Sequence, residues 1–518
     1  FLNGVTALSN GNYVVRSVNW DIPAVPGPAV ANVGAVTWGD GSTAGPRLVG
    51  EVSAANSLVG STLNDRIGFI SNLSNAIPGI TALSNGNYVV ASPFWNNPAV
   101  PGPAGLAVGA ATWGNGSSAG PRLVGAVSAA NSLVGTAQND NVGVNGVTAL
   151  VGNGNYVVGS MFAGASNTGA ATWGNGTIGI SGPVSGANSL VGLSTADNVG
   201  QYVTALSNGN YVVGSPGWAN LSATAGDAGA VTWVNGSNGF AAGATSAGAA
   251  VSAANSLVGT TSSDQLGFGN NLSGVVALSN GNYVVASPLW NIPAALGPAV
   301  ADVGAVTWGD GSTAGPRLVG AISATNSLVG TSPSDQIGFS DVTRPGVTAL
   351  TNGNYVVRSR FWDNIGAVVF DAGAATWGDG SSAGPRLVGQ ISAGNSLVGT
   401  IANSGVAFNG VKALSNGNYV VSSLNIDGSA LNNPGAVTWG DGAVGTVGAV
   451  TNLNSLFGTT SNDNVGLGPG IGVVDGVTAL TNGNYVVISR LWNGSRGAAT
   501  WGDGSTAGPR QVGAVYAS

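Results

Sequence analysis

Residues 5–15, with the sequence VTALSNGNYVV, decide the fold of this chain, because close variants of this phrase recur along all 518 residues. Successive copies stand 55 to 75 residues apart. Their tyrosines are Tyr13, Tyr88, Tyr156, Tyr211, Tyr283, Tyr355, Tyr419 and Tyr485. Eight copies of one unit at such a period indicate a repeat architecture.

Two further phrases follow in each unit. The phrase A-[VA]-T-W-G-[DN]-G occurs eight times, with variation in the fourth copy, and its tryptophans are Trp38, Trp113, Trp173, Trp233, Trp308, Trp377, Trp439 and Trp501. The phrase N-S-L-V-G occurs seven times, starting at Asn56, Asn131, Asn188, Asn255, Asn326, Asn395 and Asn454. We therefore expect one repeat domain over residues 1–518, with units at about 1–60, 61–135, 136–192, 193–259, 260–330, 331–399, 400–458 and 459–518.

Each unit is predicted to be β throughout. Residues 5–8 and 13–15 are rich in β-branched and aromatic residues, and the Asn-Gly pair between them is a strong hairpin signal. Residues 35–38 supply a third strand, and a fourth lies within residues 48–60. No window carries the apolar stripe of a helix, and glycine at this density disfavours one.

Four strands per unit, repeated eight times, predict an all-β fold: an eight-bladed β-propeller of four-stranded antiparallel blades. The alternative is a β-helix, solenoid or open repeat array. The unit length varies by 20 residues, which suits loop insertions between blades better than stacked rungs of constant length. The eighth unit lacks an N-S-L-V-G phrase, so we expect either a last blade that is one strand short or a chain cut from a longer array. The start at Phe1 also leads us to expect a piece of a longer protein.

The composition excludes several classes of function. The chain has no histidine and no cysteine, so it lacks the residues for a Ser-His-Asp triad, a catalytic thiolate or a common zinc site. Charged residues make up 6% and the net charge is −7, which argues against nucleic acid as a partner. No stretch approaches the ~20 apolar residues of a membrane-spanning helix. We expect no enzymatic activity, no cofactor, no metal and no membrane insertion.

The tryptophan of the T-W-G phrase is predicted to be structural, wedged between neighbouring blades. A second tryptophan set follows the Tyr-Val-Val strand, beside Asp or Asn. An aromatic ring next to such a polar group is typical of carbohydrate sites, and loops on a repeated scaffold commonly carry binding. The alternative is that these rings fold back over the blade edge. The candidate ligand-binding residues are Trp20, Asp21, Trp95, Asn96, Trp218, Trp290, Asn291, Trp362, Asp363, Trp492 and Asn493.

An aspartate recurs after the N-S-L-V-G phrase, at Asp65, Asp140, Asp197, Asp264, Asp335 and Asp463, while the sixth linker has Asn403-Ser404-Gly405 instead. A carboxylate at a fixed turn position is expected to close the turn by accepting backbone N–H bonds. Calcium binding would need several converging oxygens, and one aspartate per unit does not indicate that.

Four units also place an aspartate seven residues before an arginine. The pairs are Asp40 and Arg47, Asp310 and Arg317, Asp379 and Arg386, and Asp503 and Arg510. We predict that they brace the loop as exposed ion pairs. A glycoside hydrolase would need a unique pair of carboxylates in a cleft. The acidic residues here nearly all recur at the same positions of the repeat, so this activity is a remote alternative.

The phrases LSNGNYVV, GAVTWGDG and VSAANSLVG resemble repeats in very large secreted bacterial surface proteins of the filamentous-haemagglutinin type, over essentially the whole chain. The order GVTAL then NYVV is also similar, more weakly, to FG-GAP repeats of integrin-type propellers, although the calcium loop of that family is missing. The first resemblance implies export from a Gram-negative bacterium and a role in adhesion or surface structure.

We therefore predict a non-enzymatic, secreted, cell-surface structural or adhesive repeat module. Its expected partners are other copies of itself, or a host or cell-surface glycan or matrix. The alternative function is a multivalent lectin that uses the loop tryptophans, aspartates and asparagines given above.

Overall fold

The computed structural model of this chain describes residues 4–24, 28–42, 50–70, 78–100, 102, 105–269, 273–294, 299–424, 431, 433–470, 473–508 and 510–516. The fold is all-β, and its eight repeats form blade-like sheets, as predicted. The chain divides into two compact units. Unit 1 contains 1–220, 229–258 and 317–320, and unit 2 contains 221–228, 259–316 and 321–518.

Each repeat opens with an antiparallel hairpin. Its first strands are Val5–Ala7, Ile80–Ala82, Val147–Ala149, Tyr202–Ala205, Val275–Ala277, Val347–Ala349, Gly410–Ala413 and Val477–Ala479. Its second strands are Tyr13–Ser17, Tyr88–Ser92, Tyr156–Ser160, Tyr211–Ser215, Tyr283–Ser287, Tyr355–Ser359, Tyr419–Ser423 and Tyr485–Ser489. In the first hairpin the amide of Gly11, at a φ of +87°, donates to the carbonyl of Leu8 at 3.1 Å. Glycine adopts this left-handed conformation without steric cost, which is why the Asn-Gly pair predicted the turn.

The third strand continues each sheet in antiparallel order, and in seven sheets a fourth strand follows it in the same way. The third strands are Ala35–Gly39, Ala110–Gly114, Ala170–Gly174, Ala230–Val234, Ala305–Gly309, Ala374–Gly378, Ala436–Gly440 and Ala498–Gly502. The fourth strands are Leu58–Val59, Ser132–Val134, Ser189–Val191, Leu257–Val258, Leu328–Val329, Leu397–Val398 and Ser455–Phe457. Gly39 pairs with Tyr13, and a Cβ at Gly39 would lie 2.3 Å from Tyr13 Cζ, so the tyrosine ring requires glycine there. Because this pairing is antiparallel, the alternative of parallel coiled rungs is wrong.

The prediction of four strands per sheet omitted a fifth strand, which is parallel and belongs to the following repeat. In the first sheet Leu58 and Val59 pair with Gly125 and Ala126. Seven sheets contain such a strand. The fifth strands are Gly125–Ala126, Gly182–Pro183, Ala249–Ala250, Gly320–Ala321, Gly389–Gln390, Gly448–Ala449 and Gly513–Ala514. Each has two residues, too short for a sequence pattern to reveal.

The eighth sheet has three strands in the described part of the chain, as expected of a short last blade. A separate two-stranded hairpin, Leu467–Gly470 and Val473–Asp475, precedes it. The helical elements described are a single turn at Trp492–Ser495 and two 3₁₀ turns, Leu221–Ala223 and Ile365–Ala367.

The hydrophobic core lies between neighbouring sheets within each unit. In unit 1, Val14 and Trp38 of repeat 1 are buried in one cluster with Ile80, Tyr88 and Val90 of repeat 2. Burying each such side chain contributes about 1.5–3 kcal/mol. We call the contact between two consecutive repeats a junction and number it by the repeats it joins, so this one is junction 1–2.

Candidate functional site

In six junctions within the two units, one glycine carbonyl is the centre of the contact. At junction 1–2, Gly116 O accepts hydrogen bonds from Trp38 Nε1 at 3.0 Å and from the side-chain amides of Asn10 and Asn12, both at 2.8 Å. The carbonyls of five further glycines accept the same three donors in their own junctions: Gly176, Gly236, Gly380, Gly442 and Gly504. The prediction that the T-W-G tryptophan is wedged between blades is confirmed at these six junctions, whereas Trp501, in the last repeat, is 49% exposed.

The hairpin turn itself positions the two asparagine donors. Asn10 Oδ1 accepts the amide N–H of Asn12, and Asn12 Oδ1 accepts the amide N–H of Gly41, each at 3.1 Å. These bonds fix both side chains so that their NH₂ groups face the next repeat. Sequence reasoning treated the asparagines as turn residues only. The available signal was that asparagine stands at both positions in all eight copies, although the turn alone does not require this.

An arginine covers the tryptophan at four places. The guanidinium carbon of Arg122 lies 3.2 Å from the centre of the Trp38 ring. Within unit 1 Arg317 covers Trp233, and in unit 2 Arg386 covers Trp308 and Arg510 covers Trp439, at 3.3–3.5 Å. This is a cation–π contact between repeats.

The prediction that Arg386 and Arg510 brace their loops is confirmed, but the ion pairs expected to form the brace are wrong. Neither forms an ion pair within 4 Å of the aspartate seven residues before it. Arg386 instead donates to the carbonyls of Ser381 and Ser382, both at 2.7 Å, while its plane stacks on Trp308. Arg317 stacks on Trp233, and Arg47 lies outside the described residues. The guanidinium stacks on the tryptophan because an exposed ion pair between arginine and aspartate stabilises the fold little, whereas the face of the indole provides a large contact area.

Where the arginine is missing, a glycine packs against the indole. Gly179, Gly239 and Gly445 have φ values of +75°, +76° and +81°. A Cβ at these positions would lie 2.7–2.9 Å from Cβ of the tryptophan in the preceding repeat, namely Trp113, Trp173 and Trp377. The junctions are thus of two kinds, which we call arginine junctions and glycine junctions.

The recurring aspartate ties the linker after the N-S-L-V-G phrase to the loop that follows the next Tyr-Val-Val strand. Asp65 is fully buried, and its Oδ2 accepts the amides of Ser61 and Thr62 at 2.8 Å, which confirms the predicted turn closure. Its Oδ1 accepts the amide of Asn96, in the loop after the second strand of repeat 2, at 3.0 Å. All six aspartates accept such an amide; the donors are Asn96, Gly164, Ala219, Asn291, Asp363 and Asn493.

Burial raises the pKa of Asp65 and Asp264, and it raises the pKa of Asp335 to about 6, because a charged carboxylate loses hydration inside the protein. The amide N–H bonds act in the opposite direction, since they stabilise the charged form. For Asp335 the loss of hydration outweighs them.

The candidate loop tryptophans are mostly inside the protein. Trp95, Trp290, Trp362 and Trp218 are 0%, 1%, 2% and 7% exposed, whereas Trp20 and Trp492 are half-buried. A sugar ring needs an open indole face, so in this fold only Trp20 and Trp492 of the set offer part of one. Carbohydrate binding by these residues stays a prediction.

The polar neighbours of these tryptophans hold the loops together. Asn96 and Asn291 donate their side-chain amides to Asp65 and Asp264, and each accepts a backbone amide at 2.8 Å. Asp21 accepts the amide of Asn32, and Asp363 accepts the amide of Asp371. Asn493 contacts Asp463 through its backbone amide at 3.0 Å. A ligand would have to replace these bonds.

One charged cluster has no counterpart in the repeat and was not expected. Arg358 is fully buried and donates to Asp341 at 3.2 Å and to the carbonyls of Ala407 and Phe408, both at 2.9 Å. Arg360 lies 3.5 Å from the same carboxylate. Burial lowers the pKa of Arg358 to about 10. The cluster fastens repeat 6 to repeat 7, and both arginines contact the single carboxylate of Asp341.

A cleft of about 460 Å³ lies at junction 2–3. Its lining includes Trp113, Asn115, Arg122, Asn131 and Ile180. Within the ranges given above, no group of three or more acidic side chains is arranged to hold a metal ion. No helix among the described residues is long and apolar enough to cross a membrane.

A family described as a repeat of unknown function, DUF5650, matches the chain eight times, over most of its length. The matched residues are 7–69, 82–144, 150–201, 205–268, 277–339, 349–407, 413–467 and 479–517. The chain belongs to this family. The eight matches confirm the count of repeats; each begins at or just after the last residue of a hairpin's first strand and includes the second strand and the T-W-G strand. No curated protein matches the chain.

Proposed function

We propose that this chain is a non-enzymatic structural module of a secreted, cell-surface protein, with an adhesive role on that surface. The observation that carries the proposal is that the polar side chains common to the repeats are used to join one repeat to the next. Asn10, Asn12 and Trp38 share one carbonyl, and Asp65 closes the linker turn through three hydrogen bonds and ties it to Asn96 through two more.

The surface chemistry supports the same role. The chain has no cysteine, so its stability does not depend on a disulfide bond, and charged residues make up 6% of it. The resemblance of LSNGNYVV and GAVTWGDG to repeats of large secreted bacterial surface proteins supports export, and the Gram-negative source is part of this proposal.

The test is the location of the protein in the organism that makes it. Antibodies against the 518-residue chain should label intact cells, and external protease should remove the label without lysis. A cytoplasmic protein of the same cells, probed in parallel, is the control for leakage. Labelling that requires permeabilised cells would overturn the proposal.

A carbohydrate-binding role is the second candidate, and the cleft at junction 2–3 favours it. Trp113 is partly exposed there, with Asn115 and Asn131 beside it, and an indole next to amide groups suits the two faces of a sugar. A glycan array with the intact chain is the test. Binding should fall at least tenfold in Trp113→Ala and persist in Trp95→Ala, if that variant folds; an array without binders excludes this role.

A further inference from the structure

Unit 2 contains an arginine cluster in which positive charge exceeds negative charge. Its members are Arg344, Arg358 and Arg360, and the carboxylate of Asp341 lies 3.2 Å from Arg358 Nη2 and 3.5 Å from Arg360 Nη1. Burial lowers the pKa of Arg358 and Arg360, and the nearby charge of Arg344 lowers both further, because like charges repel. Three of the 13 cationic residues of the chain thus share one acidic group.

The fold itself uses Asp341 and Arg358. Asp341 Oδ1 accepts the backbone amides of Thr343 and Arg344, at 3.1 and 2.9 Å, and its Oδ2 accepts the guanidinium of Arg358. Arg358 is fully buried, and its remaining hydrogen bonds go to three backbone carbonyls. The one carboxylate of the cluster is therefore already occupied, and it does not balance the charges of Arg344 and Arg360.

Arg360 is held in place mainly by aromatic rings. Its guanidinium carbon lies 4.2, 5.1 and 5.4 Å from the ring centres of Phe361, Phe339 and Phe408. Its side chain is 18% exposed, and its Nε has no hydrogen-bond partner among the described residues. A cation–π contact uses the face of the guanidinium, whereas the N–H donors lie in its plane. The outer N–H groups of Arg360 are therefore available to an anion.

Arg344 supplies a second half-buried guanidinium. Its Nε donates to the carbonyl of Asn409 at 3.2 Å, which fixes the side chain next to the sixth linker. Asp363, three residues after Arg360, does not neutralise the cluster, because its carboxylate accepts the amide of Asp371. At physiological ionic strength, charges more than about 8 Å apart are largely screened. The excess positive charge therefore acts locally, although the net charge of the chain is −7.

Repeat 2 shows that the aromatic part of this site does not need its arginines. Phe69 and Phe94 are the equivalents of the phenylalanines at 339 and 361, and the ring centres are 5.9 Å apart in repeat 2 and 5.7 Å apart in repeat 6. Ala91 and Pro93 take the places of the arginines at 358 and 360, and the single cation near this pair is Arg66, 5.6 Å from the centre of the Phe69 ring. Packing of the rings therefore does not explain the arginines of repeat 6.

We propose that the arginine cluster binds the carboxylates of an acidic glycan, meaning a chain of sugars that contains uronic acids. A planar guanidinium matches a carboxylate through two parallel hydrogen bonds. The half-buried phenylalanine rings beside it suit the C–H faces of a sugar, which a simple anion does not have. The cluster lies in loops, where repeated scaffolds commonly carry binding. This inference names the ligand class of the proposed adhesive module, and it rests on that role.

Isothermal titration calorimetry of the full chain with an oligomer of galacturonic acid tests the proposal. Wild type should bind it, and Arg360→Gln and Arg344→Gln should each raise the Kd at least tenfold, because each removes a charged donor. Arg360→Lys keeps the charge without the planar group and should recover only part of the affinity. Arg386→Gln removes one positive charge elsewhere in unit 2, so it is the matched control and should bind like wild type. Circular dichroism checks that each variant folds.

Three other probes separate an acidic glycan from simpler ligands. A neutral glucose oligomer should not bind, while a peptide of glutamates and inorganic phosphate should each bind at least tenfold more weakly than the galacturonic acid oligomer. The proposal is overturned if wild type does not bind the acidic oligomer, if both glutamine variants bind it normally, or if any of the three probes binds as tightly. Surface labelling is measured separately, so a chain that is on the surface and does not bind the oligomer refutes this inference alone.

Discussion

Junctions 5–6 and 6–7 are neighbours in unit 2 and are built on the same hydrogen bonds. In the first, Trp308, Asn280 and Asn282 donate to Gly380 O at 2.8–3.1 Å. In the second, Trp377, Asn352 and Asn354 donate to Gly442 O at 2.8–2.9 Å. The donors and the acceptor are thus common to both.

The two junctions differ in what surrounds that centre. Arg386 covers Trp308, which is 8% exposed, whereas Gly445 packs against Trp377, which is partly exposed. Asp335 joins the loop of repeat 6 through the amide of Asp363, whereas the sixth linker has Ser404, whose Oγ donates to Ile401 O at 2.6 Å. The comparison shows that the shared glycine carbonyl is common to both junctions. The residue packed against the tryptophan and the residue that closes the linker turn differ between them.

The largest effect is expected from removing the central indole. Trp308→Ala should lower the free energy of unfolding by about 4 kcal/mol and Trp377→Ala by about 3 kcal/mol, since the better covered ring leaves the larger cavity. Denaturant unfolding measures both, with hydrogen exchange at each junction to locate the loss. Trp501→Ala, at the uncovered ring, is the control and should cost less than about 1 kcal/mol. Equal losses at all three positions would show that burial of the ring does not matter.

A methyl group at the glycine junction should cost about 2 kcal/mol. Gly445→Ala combines a left-handed φ of +81° with a Cβ 2.9 Å from Trp377 Cβ. Gly448→Ala is the matched control, because Gly448 has a φ of +94° with open space around the new Cβ. The difference between the two variants in unfolding free energy isolates the contact with the indole. A difference of zero would contradict close packing of Gly445.

The linker aspartate should make junction 5–6 sensitive to pH in a way that junction 6–7 is not. Asp335 has a folded pKa raised to about 6, above its ordinary value near 4, so the folded state binds the proton more tightly than the unfolded state. Stability from this residue is therefore fully present at low pH and is lost as pH rises through about 6.

The variant Asp335→Ser places at position 335 the serine that the sixth linker has at the equivalent position, Ser404. It therefore removes the titration of Asp335. Between pH 4.5 and pH 7, wild type should lose about 1 kcal/mol of unfolding free energy relative to the variant, after allowing for solvent screening. Parallel denaturant titrations of both proteins at several pH values measure this difference. The other aspartates contribute equally to the pH dependence of both proteins, so their contributions cancel. If the unfolding free energy of wild type minus that of the variant stayed constant or increased with pH, the raised pKa of Asp335 would be contradicted.

The smallest effect is expected from the cation–π cover. Arg386→Ala should cost about 0.5–1 kcal/mol, and Arg386→Lys should recover only part of this, because an ammonium cannot stack on the indole as a planar guanidinium does. The unfolding free energy and the fluorescence of the tryptophans report the change. If lysine restores the full stability, charge rather than stacking holds the cover.

Local structure was largely predictable from the sequence. The Asn10-Gly11 pair located the first hairpin, and the β-branched residues around Thr37 located the third strand, because both depend on residues close in the chain. The turn-closing role of Asp65 and the wedge role of Trp38 also followed from their recurrence at fixed positions.

The contacts between repeats were not predictable in the same way. Some of these contacts join residues distant in sequence, as in the stacking of Arg386 on Trp308 and the parallel pairing of Gly389 with Leu328. The burial of Trp95 depends on which side of its sheet packs inward. Arg16 and Arg358 occupy the same place in the phrase NYVVRS, yet only Arg358 is fully buried beside an aspartate.

The sequence by itself determined that the chain is all-β, that it contains eight like units, and where each hairpin turns, since these properties follow from backbone preferences and periodicity. Only the tertiary structure decided which side chains meet across a junction, which aspartates lose their water, and which tryptophans stay uncovered. Those outcomes depend on how the sheets pack, because burial and hydrogen bonding between repeats are set by partners that no local stretch of sequence contains.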